Sequence, residues 1–442
     1  MPRGELFDPL FGAAELGAVL SDRAWIAALI DVECALARAQ AVAGVLDEGH
    51  AAAIATAGPE LAATLDPAEL GAAAVAGGNP VIPLVRRLRD ACAPAGVPGS
   101  AVHKGATSQD ILDNALLLLA QRAGAMIVDD LRTAADAAAG LARAHRDTPM
   151  AARTLGQQAL PTTFGALAAG WCKALDRAAG SVTAALADLP VQFGGAAGTL
   201  AALYPHGPAV ADTLAAELGL APQGIPWHTD RTPIAELATA LGVAAGAVAK
   251  IATDIVALSA TEVGEASEDS PGGSSAMPHK RNPVAAITAR AAARRVPGLV
   301  ADALGAMDHE LQRAAGAWHA EWETVTDLLR LTGGAAHRLA HSLTGLHVHP
   351  EAMARNLAVT GGLLLAERIT AALSEHTERA RDIVTAAATA HPPALDTDPT
   401  IIEYLGAQRV RELLDPSGYL GHAADLVTQV LTERDGARTE PR

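Results

Sequence analysis

Aromatic side chains are scarce: only 3% of the 442 residues are Phe, Trp or Tyr, although half the chain is hydrophobic. The apolar content is therefore mostly Ala, Leu and Val. Alanine and leucine are the strongest helix formers, and the lack of aromatics argues against a β-sandwich. Cysteine is nearly absent too. Cys34, Cys92 and Cys172 stand far apart, with no pairing rhythm and no metal-type spacing, which fits small buried hydrophobes in a reducing compartment. Positive charge is in deficit: 33 Lys and Arg face 49 Asp and Glu, for a net charge of −16. That speaks against nucleic acid or an anionic membrane as partner, and any anionic ligand would need a local cationic pocket. The start, MPRGELFDPL, lacks an apolar leader core, and no run reaches about 18 uninterrupted apolar residues. The expectation is a cytoplasmic protein.

The length suits two or three domains. Residues 1–100 carry short helical patterns broken by Gly and Pro, as in AGGNPVIPLV and ACAPAGVPGS. Residues 101–346 are different. Proline is missing from Thr162 to Leu189 and again from Ala235 to Glu265. In the second stretch Leu237, Leu241, Val248, Ile251, Ile255 and Leu258 recur at helical steps, marking one face of a helix about 45 Å long. A third stretch, Val284 to Leu331, is expected to be helical with a kink at Pro297. Residues 347–442 return to shorter patterns. The expected fold is all-α, with three domains and a long central helical bundle that extends beyond one chain.

Three segments could carry chemistry. In VHKGATSQD, Thr107 or Ser108 could merely cap a helix beginning near Gln109, or could seat a carboxylate at that helix start, with His103 and Lys104 adding charge or a proton-transfer group. In ARTLGQQALPTTFG, the residues Arg153, Thr154, Gln157 and Gln158 form a polar cluster that reads first as a surface turn. In GGSSAMPHKRNP, a flexible start meets Lys280 and Asn282 just before a proline-marked helix start. Backbone N–H groups and Lys280 there could hold a carboxylate. A serine is a usable base only where cations, oriented dipoles and exclusion of water stabilise its oxyanion. Such a loop suggests proton abstraction from the carbon beside a carboxylate. His319, Glu321 and Glu323 in WHAEWE do not share one helix face, and no metal or cofactor is expected.

GSSAMPHKRNP resembles the GSSxMPxKxNP loop of the fumarase/aspartase superfamily, and HKGATSQD and RTLGQQALP fall where its other two signature regions fall. LFDPLFG, QFGGAAGTLAAL and GAWHAEWE are similar to the bacterial 3-carboxy-cis,cis-muconate cycloisomerase branch. The resemblance implies a homotetramer whose sites combine three regions from three subunits and act on a small dicarboxylate. It implies Ser274 as base, with Ser275, Met277, Lys280 and Asn282 around the substrate and Thr107 and Ser108 on a carboxylate. Gln157 matches the glutamine of the second region, and Arg231 resembles an arginine that reaches a neighbouring site.

One departure bears on the reaction. Fumarase-type members place a histidine where this chain has Leu155, and muconate cycloisomerases carry it where this chain has Gln158. Glutamine hydrogen-bonds but delivers no proton at neutral pH. His103 is the nearest substitute acid. A leaving group that departs unaided is then expected, such as nitrite from nitrosuccinate, with Lys104 or Gln158 on the nitro oxygens. Lactone formation from carboxymuconate is the alternative, and a catalytically silent helical tetramer a further one.

Overall fold

The computed structural model describes residues 6–273 and 277–439. Helices make up 68% of the chain, as its composition predicts. It divides into two compact units. The first holds Met1–Arg132, Arg177–Lys250 and Thr288–Arg338; the second holds Thr133–Asp176, Ile251–Ile287 and Leu339–Arg442.

In the first unit two short helices, Asp8–Phe11 and Ala14–Val19, precede α1 (Asp22–Val42), whose N-terminus Ser21 caps by accepting from the Ala24 N–H. It packs on the helices Glu48–Thr64 and Gly207–Leu218. Gly58 permits the first of these contacts, since a Cβ there would lie 2.5 Å from the Cys34 sulfur. Next come α2 (Val81–Cys92) and α3 (Ser108–Ala144). After α4 (Phe164–Ala187) comes α5 (Thr232–Leu258), on which Leu237, Leu241, Val248, Ile251, Ile255 and Leu258 are all buried. The periodicity read from the sequence is thus the buried face of this helix.

The third long stretch is not one kinked helix. It breaks into α6 (Val284–Ala293), α7 (Val296–Gly305) and α8 (Ala317–Thr344). Pro297 sits in the first turn of α7, where its missing N–H costs nothing, so it starts a helix instead of bending one. Residues 306–316 leave the helix without any proline, and Leu311 there takes a left-handed φ of 50°.

The second unit contains two small antiparallel sheets. One joins β1 (Pro149–Thr154) to β2 (Gln157–Thr163); the other joins β3 (Ala266–Glu268) to β4 (Leu346–Val348). Its C-terminal helices enclose a core of Ile369, Leu373, Val384, Leu395, Ile401, Val410 and Leu413.

By length and composition alone, α3 and α5 are apolar enough to cross a membrane, which the search for uninterrupted runs did not foresee. The most apolar window of α3 is 78% buried inside the protein, that of α5 only 44%.

Candidate active site

The first signature region lies at the start of α3. His103 and Gly105 both adopt left-handed φ, 63° and 71°, turning the chain sharply before the helix. The Thr107 N–H donates to Asp110 Oδ2 at 2.9 Å, the side-chain half of a capping box, while the Asp110 N–H returns to the Thr107 backbone carbonyl at 3.0 Å. Asp110 is fully buried and accepts three further bonds: from the Gly194 and Gly195 N–H groups, both at 2.9 Å, and from His228 Nε2 at 2.7 Å. A Cβ on Gly195, whose φ is 68°, would lie 2.8 Å from the Gly105 carbonyl oxygen, so only glycine lets these two loops touch. Asp110 is thus the staple that fixes the mouth of the helix.

That mouth is built for an anion. The first N–H groups of a 37-residue helix converge there beside the partly exposed Thr107 and Ser108. Arg313 adds positive charge: its Nη1 donates to the Thr107 hydroxyl, and its Nη2 to the carbonyls of Gly195 and Ala196 at 3.3 and 3.4 Å. Its Nε is buried and has no partner among the described residues. Lys104, expected to supply charge here, points its ammonium to the Val45 carbonyl at 2.7 Å. Arg313 was missed because nothing in HELQRAAG marks it; only the loop 306–316 brings it to Thr107. Replacing Arg313 with Gln is expected to raise KM about 10–100-fold for a carboxylate substrate, the value of a hydrogen bond to a charged group. Steady-state kinetics on the folded variant checks this.

His103 stands beside this mouth. Its Nδ1 lies 2.7 Å from Glu33 Oε1, with 15% of the imidazole and 1% of the Glu33 side chain exposed. Burial works against the imidazolium, but the Glu33 charge and hydrogen bond outweigh it, and the pKa moves up.

Arg231 is buried one helical turn further along. Its guanidinium is shared between Asp113 (2.8 and 3.3 Å) and Glu321 (2.6 Å at the closest), with the Trp227 ring 4.8 Å away. Trp318 Nε1 donates to Asp113 at 2.9 Å, and His309 Nε2 lies 3.2 Å from Glu321. Burial pushes the Glu321 carboxyl up despite Arg231, and burial together with Arg231 pushes His309 down.

In the second unit the polar cluster read as a surface turn is the tip of a β-hairpin. Leu155 and Gly156 take φ of 52° and 79°, the left-handed pair that a two-residue hairpin turn needs. Arg153 grips Glu265 with both terminal guanidinium nitrogens, at 2.6 and 2.8 Å, and Glu265 is completely buried. Asn356 donates to the same carboxylate at 2.7 Å, and Gln158 Nε2 donates to the Asn356 carbonyl at 3.0 Å. Gln158 Oε1 is buried and, among the described residues, unpartnered. Thr154, Leu155 and Gln157 are exposed. The structure thus gathers Arg153 and Gln158 around Glu265 and leaves the tip free.

The third region is tied at its neck. Gly272 and Asn282 exchange backbone hydrogen bonds at 2.9 and 3.0 Å, and the Asn282 side chain adds a third, to the Gly272 carbonyl at 3.1 Å. A Cβ at Gly272 would lie 2.2 Å from Val284. Beyond the neck the buried Glu268 accepts from the Ala285 and Ala286 N–H groups at 3.1 and 2.9 Å, and from Ser342 at 2.6 Å, capping α6 from a distance. Met277 and Lys280 are exposed; Ser274 and Ser275 lie outside the described residues.

A family model described as Lyase matches residues 8–298. The chain is 44% identical to the nitrosuccinate lyase of Streptomyces davaonensis, over 98% of this chain and 95% of that protein. The chain belongs to the fumarase/aspartase superfamily. Within this lyase superfamily it is also 41% identical to the 3-carboxy-cis,cis-muconate cycloisomerase of Pseudomonas aeruginosa, over 100% and 99% of the two chains. The crystal structure of the 3-carboxy-cis,cis-muconate lactonizing enzyme from Pseudomonas putida superimposes with a TM-score of 0.92 at 38% identity, covering 99% of this chain and all of that one. The protein is accordingly an enzyme of this superfamily, and its all-α fold is the superfamily's. A silent scaffold is no longer among the readings.

Proposed function

We propose that this lyase expels nitrite from nitrosuccinate and leaves fumarate. Ser274 takes a proton from the carbon beside one carboxylate, that electron pair becomes the carbon–carbon double bond, and the carbon–nitrogen pair departs with nitrite. Thr107, Ser108 and Arg313 hold one carboxylate of the substrate at the mouth of α3. The amides and charge of the third region, with Ser275, Met277, Lys280 and Asn282, take the other, where negative charge builds up. Arg153 and Arg231 serve indirectly, by fixing the hairpin and the first turns of α3. Thr154, Gln157 and Gln158 face the substrate from the hairpin.

The observation that carries this reading is the pair Leu155 and Gln158. Neither side chain delivers a proton at neutral pH, so the leaving group must be stable as an anion, which nitrite is. Cycloisomerisation of 3-carboxy-cis,cis-muconate is the second reading, favoured by 41% identity to a cycloisomerase along the full chain. The two separate in a parallel assay. With nitrosuccinate, equimolar nitrite and fumarate are expected; lactone formation from carboxymuconate without nitrite release would overturn the first reading.

A homotetramer with shared sites fits the outer face of α5. There Glu236, Val243, Gly246, Lys250, Thr253 and Ala257 are exposed at steps of 7, 3, 4, 3 and 4 residues, the spacing of a seam between long helices. The fully exposed Leu155 tip fits delivery of the hairpin to another subunit's site. The division at 1–100, 101–346 and 347–442 belongs to the same proposal. The three buried cysteines, none in a disulfide, support a place in the cytoplasm.

A further inference from the structure

His103 is held more tightly than an ordinary surface histidine. Its backbone accepts a left-handed φ of 63°, a conformation that is strained for a non-glycine residue. It also presses its Nδ1 against a carboxylate that is 1% exposed. Glu33 comes from the middle of α1, 70 residues away, where a charged side chain is otherwise costly to bury. Its other neighbours cannot replace that pairing. Lys104 is turned to Val45, Arg89 on α2 donates to the Val102 carbonyl at 3.4 Å, and Asp110 at the start of α3 is committed to four N–H donors. Among the described residues, His103 Nε2 has no partner.

We propose that Glu33 is a positioning residue: it locks the His103 ring by its Nδ1–H and holds it as an imidazolium, so that Nε2–H is presented beside the anion seat at the mouth of α3. This rests on the elimination reading above. With Nδ1–H bound to Glu33, a neutral ring would turn a bare Nε2 to the substrate, whereas the charged ring turns an N–H to it. The donor meets the oxygens of the departing anion and stabilises the charge arriving on them. The proton stays on nitrogen, so the step needs no further reactant. The histidine lost from the hairpin is thereby replaced by one on a different element. Burial opposes the imidazolium; among the charged groups around the ring, Glu33 and Asp110 favour it and Arg89 opposes it.

Glu33→Gln keeps the size and a hydrogen-bonding atom while removing the charge. A carboxylate at this distance is worth about 1–3 pH units to its partner. In the variant the alkaline fall in kcat is expected to move to lower pH by that amount, with kcat lower at pH 8, restored near pH 6, and KM little changed. Loss of kcat by the same factor at every pH would show a merely structural role and overturn the proposal. A second readout needs no turnover. The His103 midpoint is followed by NMR in histidine-labelled protein, assigned against His103→Gln. The same downward move is expected in Glu33→Gln, and an unmoved midpoint refutes the pairing. If the midpoint moves while nitrosuccinate is not consumed by the native enzyme, the pairing stands and the reaction assigned to the site falls. Glu33→Asp, which restores the charge at longer reach, is expected to recover part of the shift.

Discussion

Replacing Ser274 with alanine is expected to lower kcat by about 10²–10⁴-fold, the range of a positioned general base, while the protein stays folded. That corresponds to about 3–5.5 kcal/mol of barrier. The fold should tolerate the change because the segment is anchored on both sides without it. The Gly272–Asn282 bridge closes the neck, and Glu268 caps the helix that follows. A hydroxyl is a poor base in water, so the size of the effect measures how far cations and amides stabilise its oxyanion. Lys280→Met should therefore lower kcat as well, and the two losses together should fall short of their product, since both act on the same anion. Circular dichroism and unfolding midpoints equal to the native values, with kcat reduced, are the expected pair of results. A Ser274→Ala variant with undiminished turnover would remove serine from the mechanism.

The helical fold was legible because burial follows a 3.6-residue period that alanine and leucine write plainly along α5. The hairpin was not. Its strands are short and polar, and its turn is Leu-Gly, where the usual signal is an Asn or Asp before glycine. The strand is held by the ladder to its partner and by Arg153 paired with the buried Glu265, neither of which shows in the local sequence. The break at 306–316 escaped for a related reason. No proline marks it, and the chain leaves the helix to bring Arg313 to Thr107. Charged partners far apart in sequence were the general blind spot. Glu33 sits among good helix formers in DVECALARAQ, and nothing local reveals that it waits for His103. The signature residues could be named from motifs; the charged side chains packed against them, Glu33 and Arg313, could not.

Arg231 shows the same division most sharply, and removing it should unfold more than it inhibits. Arg231→Gln leaves Asp113 and Glu321 buried with their shared cation gone, and breaking such a buried set costs about 3–5 kcal/mol. Trp318, Gln109 and Gln192 still donate to Asp113, whereas Glu321, among the described residues, has just the His309 ring nearby, 3.2 Å away. The pH dependence should then reverse. In the native protein burial and Arg231 hold His309 below its ordinary pKa, so its stabilising contribution is full above that value and is lost as pH falls through the folded pKa. Without Arg231 the same ring faces uncompensated carboxylates, and its folded pKa should rise above the unfolded one. Its contribution is then complete below the unfolded pKa and is lost as pH rises through the folded pKa. The stability gap between variant and native protein should accordingly be widest near pH 8 and narrow towards pH 6, as read from urea unfolding at the two values. A gap that stays constant would show that His309 does not respond to the missing charge. A gap under 1 kcal/mol would mean that this buried set contributes little to holding α3 and α8 together.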